Sequence, residues 1–567
     1  MPAESVARSE AVETKIAAGR GRFPVKMTIL TGLIVAAAVL AQIFVSEIED
    51  VLHVGLDVIM VVTVFTAGGL MVLWLSWMLL FSRWRWWQRI GGAAMLILLT
   101  IAAWKILRPV HGGDVNLLRF EPIWAARREA LTTVAPVRPT VDLSVESTTD
   151  FPRFLGASQN GIVANGPLIE RAEFSQKARV VWKQPIGEGW SGFSARNGYA
   201  VTMEQRGDQE CVTCYEITTG ELKWIYSHAA RHKDKIGLGR IGPRSTPTIH
   251  QGNVYAIGAV GNLVCLNGAD GTVIWQKDLN AILGIKLSEV EDSDGFKTQF
   301  EENTTLAWAR SGAPLIVDET VVVAGGGPEG KTRATLLAFD LRNGELSWKG
   351  GDAMIAYGSP VLATVAGQRQ ILLTCESQAL GFNPANGDIL WSHARPGKSD
   401  GEANTSQISV VSASDVLTTK GYPYGGGQRI HLEEQDGRLV ATSVWSSQKV
   451  LKTKLSSPII HEGYAYSLSN GFMECARLTD GEQMWKRRGR FGHGQVLAVG
   501  YLILLHSESG ELFLLEATPD EYRELGSLKT IKGVCWNTLC LTGNQLLVRS
   551  EVEAACIEIP LFPARQL

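Results

Sequence analysis

Apolar and polar positions follow two different patterns along this chain. Three long apolar runs come first, and the only charged residue within them is Lys105, near the end of the third. A run of about 20 apolar residues, rising 1.5 Å per residue as a helix, is long enough to cross a bilayer. Beyond residue 150 the apolar runs become short and alternate with polar residues, which is typical of β-strands joined by turns. The pattern predicts a tail (1–26), a membrane module (27–107) with three transmembrane helices (27–45, 58–81 and 90–107), an extended linker (108–150) and a β-domain (151–567).

The charges around the apolar runs predict how the chain lies in a membrane. Basic residues, among them Arg22 and Lys26, precede the first run, acidic residues follow it, and Arg83 and Arg85 follow the second. Because basic residues collect on the cytoplasmic side, the N-terminus is expected in the cytoplasm and the β-domain outside. A cleavable signal peptide is the alternative for the first run, but no small-residue cleavage site follows it. This predicts a multi-pass protein of the inner (cytoplasmic) membrane with a periplasmic β-domain.

One short pattern recurs five times in the β-domain. In each copy a Trp follows a Gly by four residues and a small residue (Cys, Ala or Gly) by ten. The Gly provides the positive φ of a hairpin turn, and the Trp offers a large apolar surface to a neighbouring unit. Each copy therefore predicts a β-hairpin within a repeat protein. The signature pairs are Gly220 and Trp224, Gly271 and Trp275, Gly344 and Trp348, Gly387 and Trp391, and Gly481 and Trp485.

Three degenerate copies, at 407–445, 495–528 and 534–559, extend the series to eight. Ser/Thr/Ala-Pro pairs such as Thr246-Pro247 mark the unit starts, and each unit has room for about four strands. The last unit is one strand short, while 179–183 is a strand without a hairpin partner. We expect this early strand to complete the last unit and close a ring, because closure removes exposed sheet edges. The predicted fold is all-β: an eight-bladed β-propeller, with seven blades as the alternative.

Composition narrows the classes of partner. A net charge of −3 gives no general attraction for nucleic acid, so no nucleic-acid partner is expected. The eight Cys lack metal-ligand spacing, and Cys214, Cys265 and Cys475 occupy the small-residue position of the repeat. We interpret the cysteines as packing residues, with disulfide or metal roles as the alternative.

The repeat carries a family resemblance. The phrases Thr219-Gly-Glu-Leu-Lys-Trp224 and Asp270-Gly-Thr-Val-Ile-Trp275 resemble the repeat of pyrroloquinoline-quinone-type propellers. The resemblance implies one of two branches: membrane-bound quinoprotein dehydrogenases that use pyrroloquinoline quinone with Ca²⁺, or non-catalytic BamB-like proteins of envelope assembly. It specifies the fold more than the activity, because the repeated residues hold blades together.

The sequence favours the non-catalytic branch. Repeats of about 48 residues leave little chain to cover a quinone, no Ca²⁺ ligand set can be assigned, and no Cys-x-x-Cys-His haem motif occurs. We therefore assign no catalytic, cofactor-binding or metal residues and expect no cofactor. The expected role is a protein-interaction scaffold, anchored in the lipid bilayer, that binds envelope proteins through its loops. An alcohol or sugar dehydrogenase with quinone and calcium is the alternative.

Other motifs have simpler interpretations. Residues 325–332 match the P-loop pattern, but the repeat makes 336–339 a strand where a phosphate cradle needs a helix, so a hairpin loop is expected. Residues 290–301 partly imitate a calcium loop, but Val290 at its first position cannot ligate. Two insertions, one basic (229–244) and one acidic (288–302), are the expected partner surface if there is one.

Overall fold

The structure is a computed structural model of the 567-residue chain. It describes residues 25–43, 56–82, 84–111, 118–122, 141–164, 169–234, 240–291, 295–302, 306–329, 332–398, 403–422, 425–487, 489 and 491–561. The chain divides into two compact units, Met1–Arg127 and Arg128–Leu567. Most of the predicted tail, residues 1–24, and residues 123–140 of the predicted linker lie outside the described residues.

The first unit contains three helices, α1 (Val25–Ile43), α2 (Leu56–Phe81) and α3 (Trp86–Ile106). A two-stranded antiparallel hairpin, β1 (Leu107–His111) and β2 (Leu118–Pro122), follows α3. The predicted extended linker therefore begins with paired strands.

One of these helices meets the requirement for a membrane span by length and composition. Among the described residues this is the Val61–Phe81 part of α2, while α1 provides a shorter apolar stretch, Val25–Ala41. In α3, Arg89 and Lys105 leave an uncharged stretch of roughly 22 Å between them, less than the ~30 Å of a bilayer core. The prediction of three spans is thus supported for one span, with one shorter apolar helix before it.

The helices carry apolar side chains on their outer surfaces. Phe65 is 76% exposed, and Val72 and Leu98 are also largely exposed. A contiguous apolar surface of this kind is rare on soluble proteins and is typical of contact with lipid or another protein.

The second unit is a ring of eight antiparallel β-sheets, so the eight-bladed prediction is confirmed and the seven-bladed alternative is wrong. Two strands, β3 (Ile162–Val163) and β4 (Arg179–Pro185), and a short helix, α4 (Phe174–Lys177), precede the first blade. The first four blades are β5 (Ser194–Arg196), β6 (Tyr199–Arg206), β7 (Gln209–Glu216) and β8 (Leu222–Ala229); β9 (Thr248–His250), β10 (Asn253–Ile257), β11 (Asn262–Asn267) and β12 (Val273–Asp278); β15 (Leu315–Val317), β16 (Thr320–Gly326), β17 (Ala334–Asp340) and β18 (Leu346–Gly350); and β19 (Val361–Val365), β20 (Gln368–Thr374), β21 (Gln378–Phe382) and β22 (Ile389–Ala394).

The degenerate copies of the repeat are whole blades. The last two strands of blade 5 are each ten residues long and form a longer hairpin than in the other blades. Trp445 therefore lies further from the hairpin turn than the repeat spacing predicts. Blades 5 to 8 are β23 (Ser409–Val410), β24 (Asp415–Lys420), β25 (Gly426–Gln435) and β26 (Arg438–Ser447); β27 (Ile459–His461), β28 (Tyr464–Ser469), β29 (Phe472–Arg477) and β30 (Gln483–Lys486); β31 (Gln495–Val499), β32 (Leu502–His506), β33 (Glu511–Glu516) and β34 (Arg523–Lys529); and β35 (Cys540–Thr542), β36 (Gln545–Arg549) and β37 (Glu553–Glu558), completed by β4.

The early strand closes the ring as predicted. β4 pairs antiparallel with β37, and the pairing places Trp182 opposite Cys556. Blade 8 therefore carries the repeat's small residue and its Trp, but the two come from opposite ends of the sequence. The closing strand supplies the missing partner of an otherwise exposed sheet edge.

Blades pack face to face through apolar side chains. Val201, Val212 and Trp224 of blade 1 form one core cluster with Val254 and Val264 of blade 2. The same cluster contains Val141 and Leu143, so residues from 141 onward belong to the packed domain although the linker was predicted to extend to 150.

Two elements lie between blades 2 and 3. Helix α5 (Leu279–Leu283) follows β12, and an antiparallel hairpin, β13 (Leu287–Glu291) and β14 (Lys297–Glu301), follows α5. This hairpin is the acidic insertion.

Candidate functional site

The signature Trp residues face the small residues of their own blades. In the strand register, Cys214 pairs with Trp224, Cys265 with Trp275 and Cys475 with Trp485. The other two copies behave alike, and in all five a bulge follows the small residue. Their pairs are Ala338 with Trp348 and Gly381 with Trp391. A small residue leaves room for the indole beside it, which explains why Cys, Ala and Gly are interchangeable here.

The signature glycines contact the Trp of the preceding blade. A Cβ on Gly271 would lie 2.6 Å from Cε3 of Trp224, and one on Gly344 would lie 2.7 Å from Trp275. The indole nitrogens of Trp182, Trp224, Trp275 and Trp445 donate to a backbone carbonyl of that next blade, as from Trp224 Nε1 to Gly268 O at 2.9 Å. Three further contacts follow this arrangement: Gly220 with Trp182, Gly387 with Trp348 and Gly481 with Trp445.

All eight cysteines are buried and free. Burial raises the pKa of Cys211 and Cys265 to about 12, so these thiols stay protonated at neutral pH. A protonated, enclosed thiol is a poor nucleophile and a poor metal ligand.

The linkers between blades are joined to one another around the axis of the ring. Every linker bonds to the next through a backbone group or a Ser, Thr, Gln or Asn side chain, and the series closes on itself. The bonds, in order, are Gly192 N to Thr246 Oγ1 (3.0 Å), Ser245 Oγ to Gly312 O (3.2 Å), Ser311 Oγ to Tyr357 O (2.9 Å), Tyr357 N to Asn404 O (3.2 Å), Ser406 Oγ to Ser456 O (2.9 Å), Gln495 Nε2 to Leu455 O (2.7 Å), Gln495 Nε2 to Trp536 O (2.8 Å) and Asn537 Nδ2 to Ser191 O (2.9 Å).

The chain before the first blade crosses this axis. We call residues 151–163 the axial segment. Its Phe151 exchanges two backbone hydrogen bonds with Ala195 of blade 1, and its β3 pairs in parallel with β31 of blade 7. Between them, Gln159 Nε2 donates to Pro360 O at the start of blade 4, and Gln407 Nε2 of blade 5 donates to Gln159 O. Since blades 1 and 5 are opposite each other in a ring of eight, the segment spans its centre.

Buried carboxylates near the linkers are bound by the protein itself. Glu508 accepts from His493 N at 2.9 Å and from Trp536 Nε1 at 3.0 Å. Glu204 accepts from Gly187 N at 2.8 Å and pairs with Arg206 at 3.0 Å. Burial opposes ionisation of Glu204, but the charges of Arg206 and Arg549 and nearby hydroxyl donors outweigh it, so its pKa is lowered.

The basic and acidic insertions dock on each other. Gln299 N of the hairpin donates to Arg231 O at 2.7 Å, and the Arg231 guanidinium lies 4.4 Å from the centre of the Phe296 ring. At the base of the hairpin, Glu301 forms a buried ion pair with Arg310 at 2.7 Å. Residues 235–239 and 292–294 of the two insertions lie outside the described residues. We call the docked pair, 229–234 with 240–244 and 287–291 with 295–301, the insertion platform.

The platform leaves one arm of the hairpin exposed. Val290 is 55% exposed, and its neighbours Glu289 and Glu291 are exposed as well. An apolar side chain between two carboxylates offers both contact area and charge to a partner.

The two nucleotide-like and calcium-like motifs lie in hairpins. β16 pairs with β17, so the described part of 325–332 is a turn between strands, as predicted. The calcium-like stretch forms β13 and β14, without flanking helices among the described residues. In neither case do the described residues form the helix whose N-terminus or flanks these sites need.

Residues 174–487 match the family described as outer membrane protein assembly factor BamB. The chain belongs to this family. No curated protein matches the sequence.

Three solved structures illustrate the similarity. BamB from Moraxella catarrhalis is 14% identical with a TM-score of 0.45, covering 67% of this chain and 99% of that chain. A europium-containing methanol dehydrogenase is 11% identical with a TM-score of 0.51, covering 73% and 98%. The quinohemoprotein alcohol dehydrogenase from Comamonas testosteroni is 11% identical with a TM-score of 0.50, covering 74% and 82%. At such low identity the similarity to the two dehydrogenases shows a shared fold alone.

A quinone held by calcium would need a cluster of oxygen ligands on the protein. Ca²⁺ takes six to eight oxygen ligands gathered at one point. Among the described residues, no group of three or more His, Cys, Asp or Glu side chains could hold a metal ion. The buried carboxylates that could contribute, such as Glu204 and Glu508, already accept backbone and side-chain donors. Their oxygens would have to lose these partners first.

Proposed function

We propose that this chain is a membrane-anchored, non-enzymatic β-propeller that acts as a protein-interaction scaffold in assembly of the cell envelope. The insertion platform carries the proposal. Two insertions of opposite charge pack together and expose the arm around Val290, which is how a rigid ring offers a binding surface without disturbing its blades. The match to a family described by outer membrane protein assembly supports the same role.

A site-specific photocrosslinker tests this role in the full-length protein in cells. Placed at Val290, it should give discrete products that contain envelope proteins. Val444 is a matched control, because it is also a half-exposed valine, at 47%, but lies on the last strand of blade 5. Reversing the charges of Glu289 and Glu291 to Lys should abolish the products. Identical products from both positions would contradict the proposal.

The dehydrogenase alternative is tested by titrating the same protein with pyrroloquinoline quinone and Ca²⁺. A scaffold should show no stoichiometric binding. Stoichiometric binding, together with dye reduction in the presence of alcohols or sugars, would show that the protein is a quinoprotein dehydrogenase and would contradict the scaffold function.

We also propose that α1, α2 and α3 all cross the inner membrane, with the N-terminus in the cytoplasm and the propeller in the periplasm. The exposed apolar surfaces of α1 to α3 support this, since water disfavours them. Interfacial tryptophans and the snorkelling of Lys105 would let the short third helix span.

Alkaline phosphatase fusions distinguish three spans from one. With three spans, fusions after Asp50 and after residue 115 are active and a fusion after Arg85 is inactive. If only Val61–Phe81 crosses, the fusions after Arg85 and residue 115 must have the same activity.

A further inference from the structure

A cavity of about 260 Å³ lies beside the axial segment, against the innermost strands of blades 4, 5 and 6. The axial segment forms one wall, and β19, β23 and β27, or the residues just before them, form the rest. These three strands are sheet edges, because each of them pairs with one neighbouring strand of its own blade. The cavity therefore faces the backbone of three edge strands.

The axial segment already pairs with the inner edges of three other blades. Ala195 of blade 1 exchanges two backbone hydrogen bonds with Phe151, at 2.7 and 3.0 Å. Ile249 N of blade 2 and Ala498 N of blade 7 each donate to a carbonyl of the segment at 2.8 Å. In all three blades the bonded residue lies one position before the pair that flanks the hairpin turn. An extended chain at the axis thus adds to the blades through one repeated backbone position.

The corresponding backbone groups of blades 4, 5 and 6 face the cavity. In an antiparallel pair, alternate residues direct their N–H and C=O groups away from the partner strand. Ile460 lies one position before its turn-flanking pair and Leu362 lies three positions before, so both have this direction. Val410 has it too, because the next residue, Val411, donates to Asp415 O within the hairpin at 2.9 Å. Leu362, Val410 and Ile460 all line the cavity.

These inward-facing groups are not used by the axial segment. Among the described residues, no backbone hydrogen bond joins Leu362, Val410 or Ile460 to a part of the chain outside its own hairpin. Val410 is 38% exposed, so the inner edge of blade 5 can be reached from the surface. An unpaired strand edge that solvent can reach is a template for a further strand.

The side chains around the cavity restrict the composition of such a strand. The lining residues are aliphatic or carry hydroxyl or amide groups, and none of them is charged. A charged side chain placed here would leave water without gaining a counter-charge. An apolar cavity of about 150 Å³ accommodates benzene, so 260 Å³ corresponds to roughly ten non-hydrogen atoms, or about two alanine residues.

We propose that this cavity binds an extended segment of a partner protein, which adds as a short strand to the inner edge of blade 5. Main-chain hydrogen bonds to Val410 hold the segment, and its small uncharged side chains fit the lining. Because the axial segment already forms the opposite wall, the added strand comes from another protein. This site is separate from the insertion platform and does not depend on the function proposed for it.

Three blocked tripeptides test whether main-chain hydrogen bonds carry the binding. Acetyl-Ala-Val-Ala-amide is the reference, its N-methyl-valine form lacks the central N–H donor, and acetyl-Ala-Glu-Ala-amide carries a charge. Binding to the full-length protein in detergent is measured by ligand-observed NMR and by hydrogen exchange of residues 409–411. The reference peptide should bind roughly tenfold more tightly than either of the others and should slow exchange at Val410.

Val410→Pro and Thr364→Pro provide matched variants. Thr364 has the same backbone direction as Leu362, two residues before it, but it is exposed and lies outside the lining. Each variant removes an N–H that points away from the partner strand, where an edge strand tolerates proline. Val410→Pro should abolish binding of the reference peptide, whereas Thr364→Pro should leave it unchanged. Val410→Ala, which keeps the N–H, should retain binding.

Several results would overturn the proposal. These are equal effects of the two proline variants, equal binding of the N-methylated peptide, and no binding of the reference peptide by the unmodified protein. Protection of Val410 that rises with protein concentration without any peptide would assign the edge to a second copy of this chain and would overturn it as well. The peptide comparisons use the unmodified protein, so they decide the matter even if Val410→Pro does not fold.

Discussion

At the scale of single residues, the blade boundaries depend on a glycine and a tryptophan from neighbouring repeats. Gly271 has φ +72°, and a Cβ there would meet the indole of Trp224 at 2.6 Å. The same residue thus satisfies two requirements, left-handed backbone and close approach of a ring. The repeat spacing reveals the first requirement, but the contact partner lies in another copy of the repeat.

Replacing Gly271 by Ala should destabilise the domain more than the same change at Gly367. Both glycines have φ +72°, but nothing lies within 4 Å of a Cβ at Gly367. Gly367→Ala should therefore cost only the left-handed strain, about 1–2 kcal/mol. Gly271→Ala should add about 1–3 kcal/mol of steric overlap with Trp224. Chemical denaturation of the two variants measures the difference, and equal losses would refute the packing role.

Glu210 is a buried carboxyl group on β7, and it has no ion-pair partner among the described residues. It accepts a hydrogen bond from Ala259 N at 2.9 Å, across the boundary between blades 1 and 2. Burial raises its pKa to about 7, more than the hydrogen bond lowers it. In the folded protein this group therefore binds a proton that the unfolded chain releases at lower pH.

This difference predicts a pH dependence of stability. Because the folded pKa is above the unfolded one, the contribution of Glu210 is unfavourable at high pH and is relieved as pH falls from about 7 towards 4.5. Glu210→Gln should stabilise the protein by about 3 kcal/mol at pH 8 and have little effect at pH 4.5. Thermal unfolding at both pH values checks this. A gain that is the same at both values would show that ionisation is not the cause.

At the scale of elements, the seam between blades 8 and 1 is held by a buried guanidinium as well as by β4. Arg549, at the end of β36, donates to Thr202 Oγ1 at 2.9 Å, to Met203 O at 3.0 Å and to Gly187 O at 3.0 Å. Burial lowers its pKa to about 10, although Glu204 raises it, so it remains charged at neutral pH. The first and last blades therefore share a buried network of charge and hydrogen bonds.

Removing one charge of this network should be more harmful than removing two. Arg549→Met leaves Glu204 less compensated and should cost about 3–5 kcal/mol. Adding Glu204→Gln should recover part of that loss, because it removes the carboxylate charge that Arg549 no longer compensates, although Arg206 then loses the carboxylate it pairs with. Unfolding curves of the two single variants and the double variant measure the coupling. Additive losses would mean that the two side chains act independently.

At the scale of the whole molecule, closure involves both the rim and the axis of the ring. β4 completes blade 8 at the rim, whereas the linker hydrogen bonds and the axial segment connect blades at the centre. Both closing pieces come from the chain before the first blade. The ring is thus completed by residues from one end of the repeat series.

Deleting residues 178–184 from the full chain should lower thermal stability and expose the edge of β37. The deletion removes Trp182 from its contact with Gly220 and leaves backbone groups of β37 unpaired. Differential scanning calorimetry and limited proteolysis near blade 8 are the measurements. An unchanged melting temperature would contradict the role of β4 in closure.

Much of the fold could be predicted because each copy of the sequence repeat forms the same local structure. The spacing of Gly387 and Trp391, for example, marks a turn and the strand after it, and both lie within one blade. The degenerate blade 5 shows the limit, because its longer hairpin shifts Trp445 away from the common spacing. The cavity could not be predicted, since Gln159 and Gln407 are 248 residues apart and neither belongs to a motif.

The sequence by itself determined the class of fold and the strand that closes the ring, because these follow from local periodicity and from one unpaired strand, but it left the number of blades at eight or seven. Only the tertiary structure decided that the two charged insertions form one platform, that the axial segment crosses the ring, and that a neutral cavity lies beside it. Those features depend on contacts between blades, and such contacts leave no periodic trace in the chain.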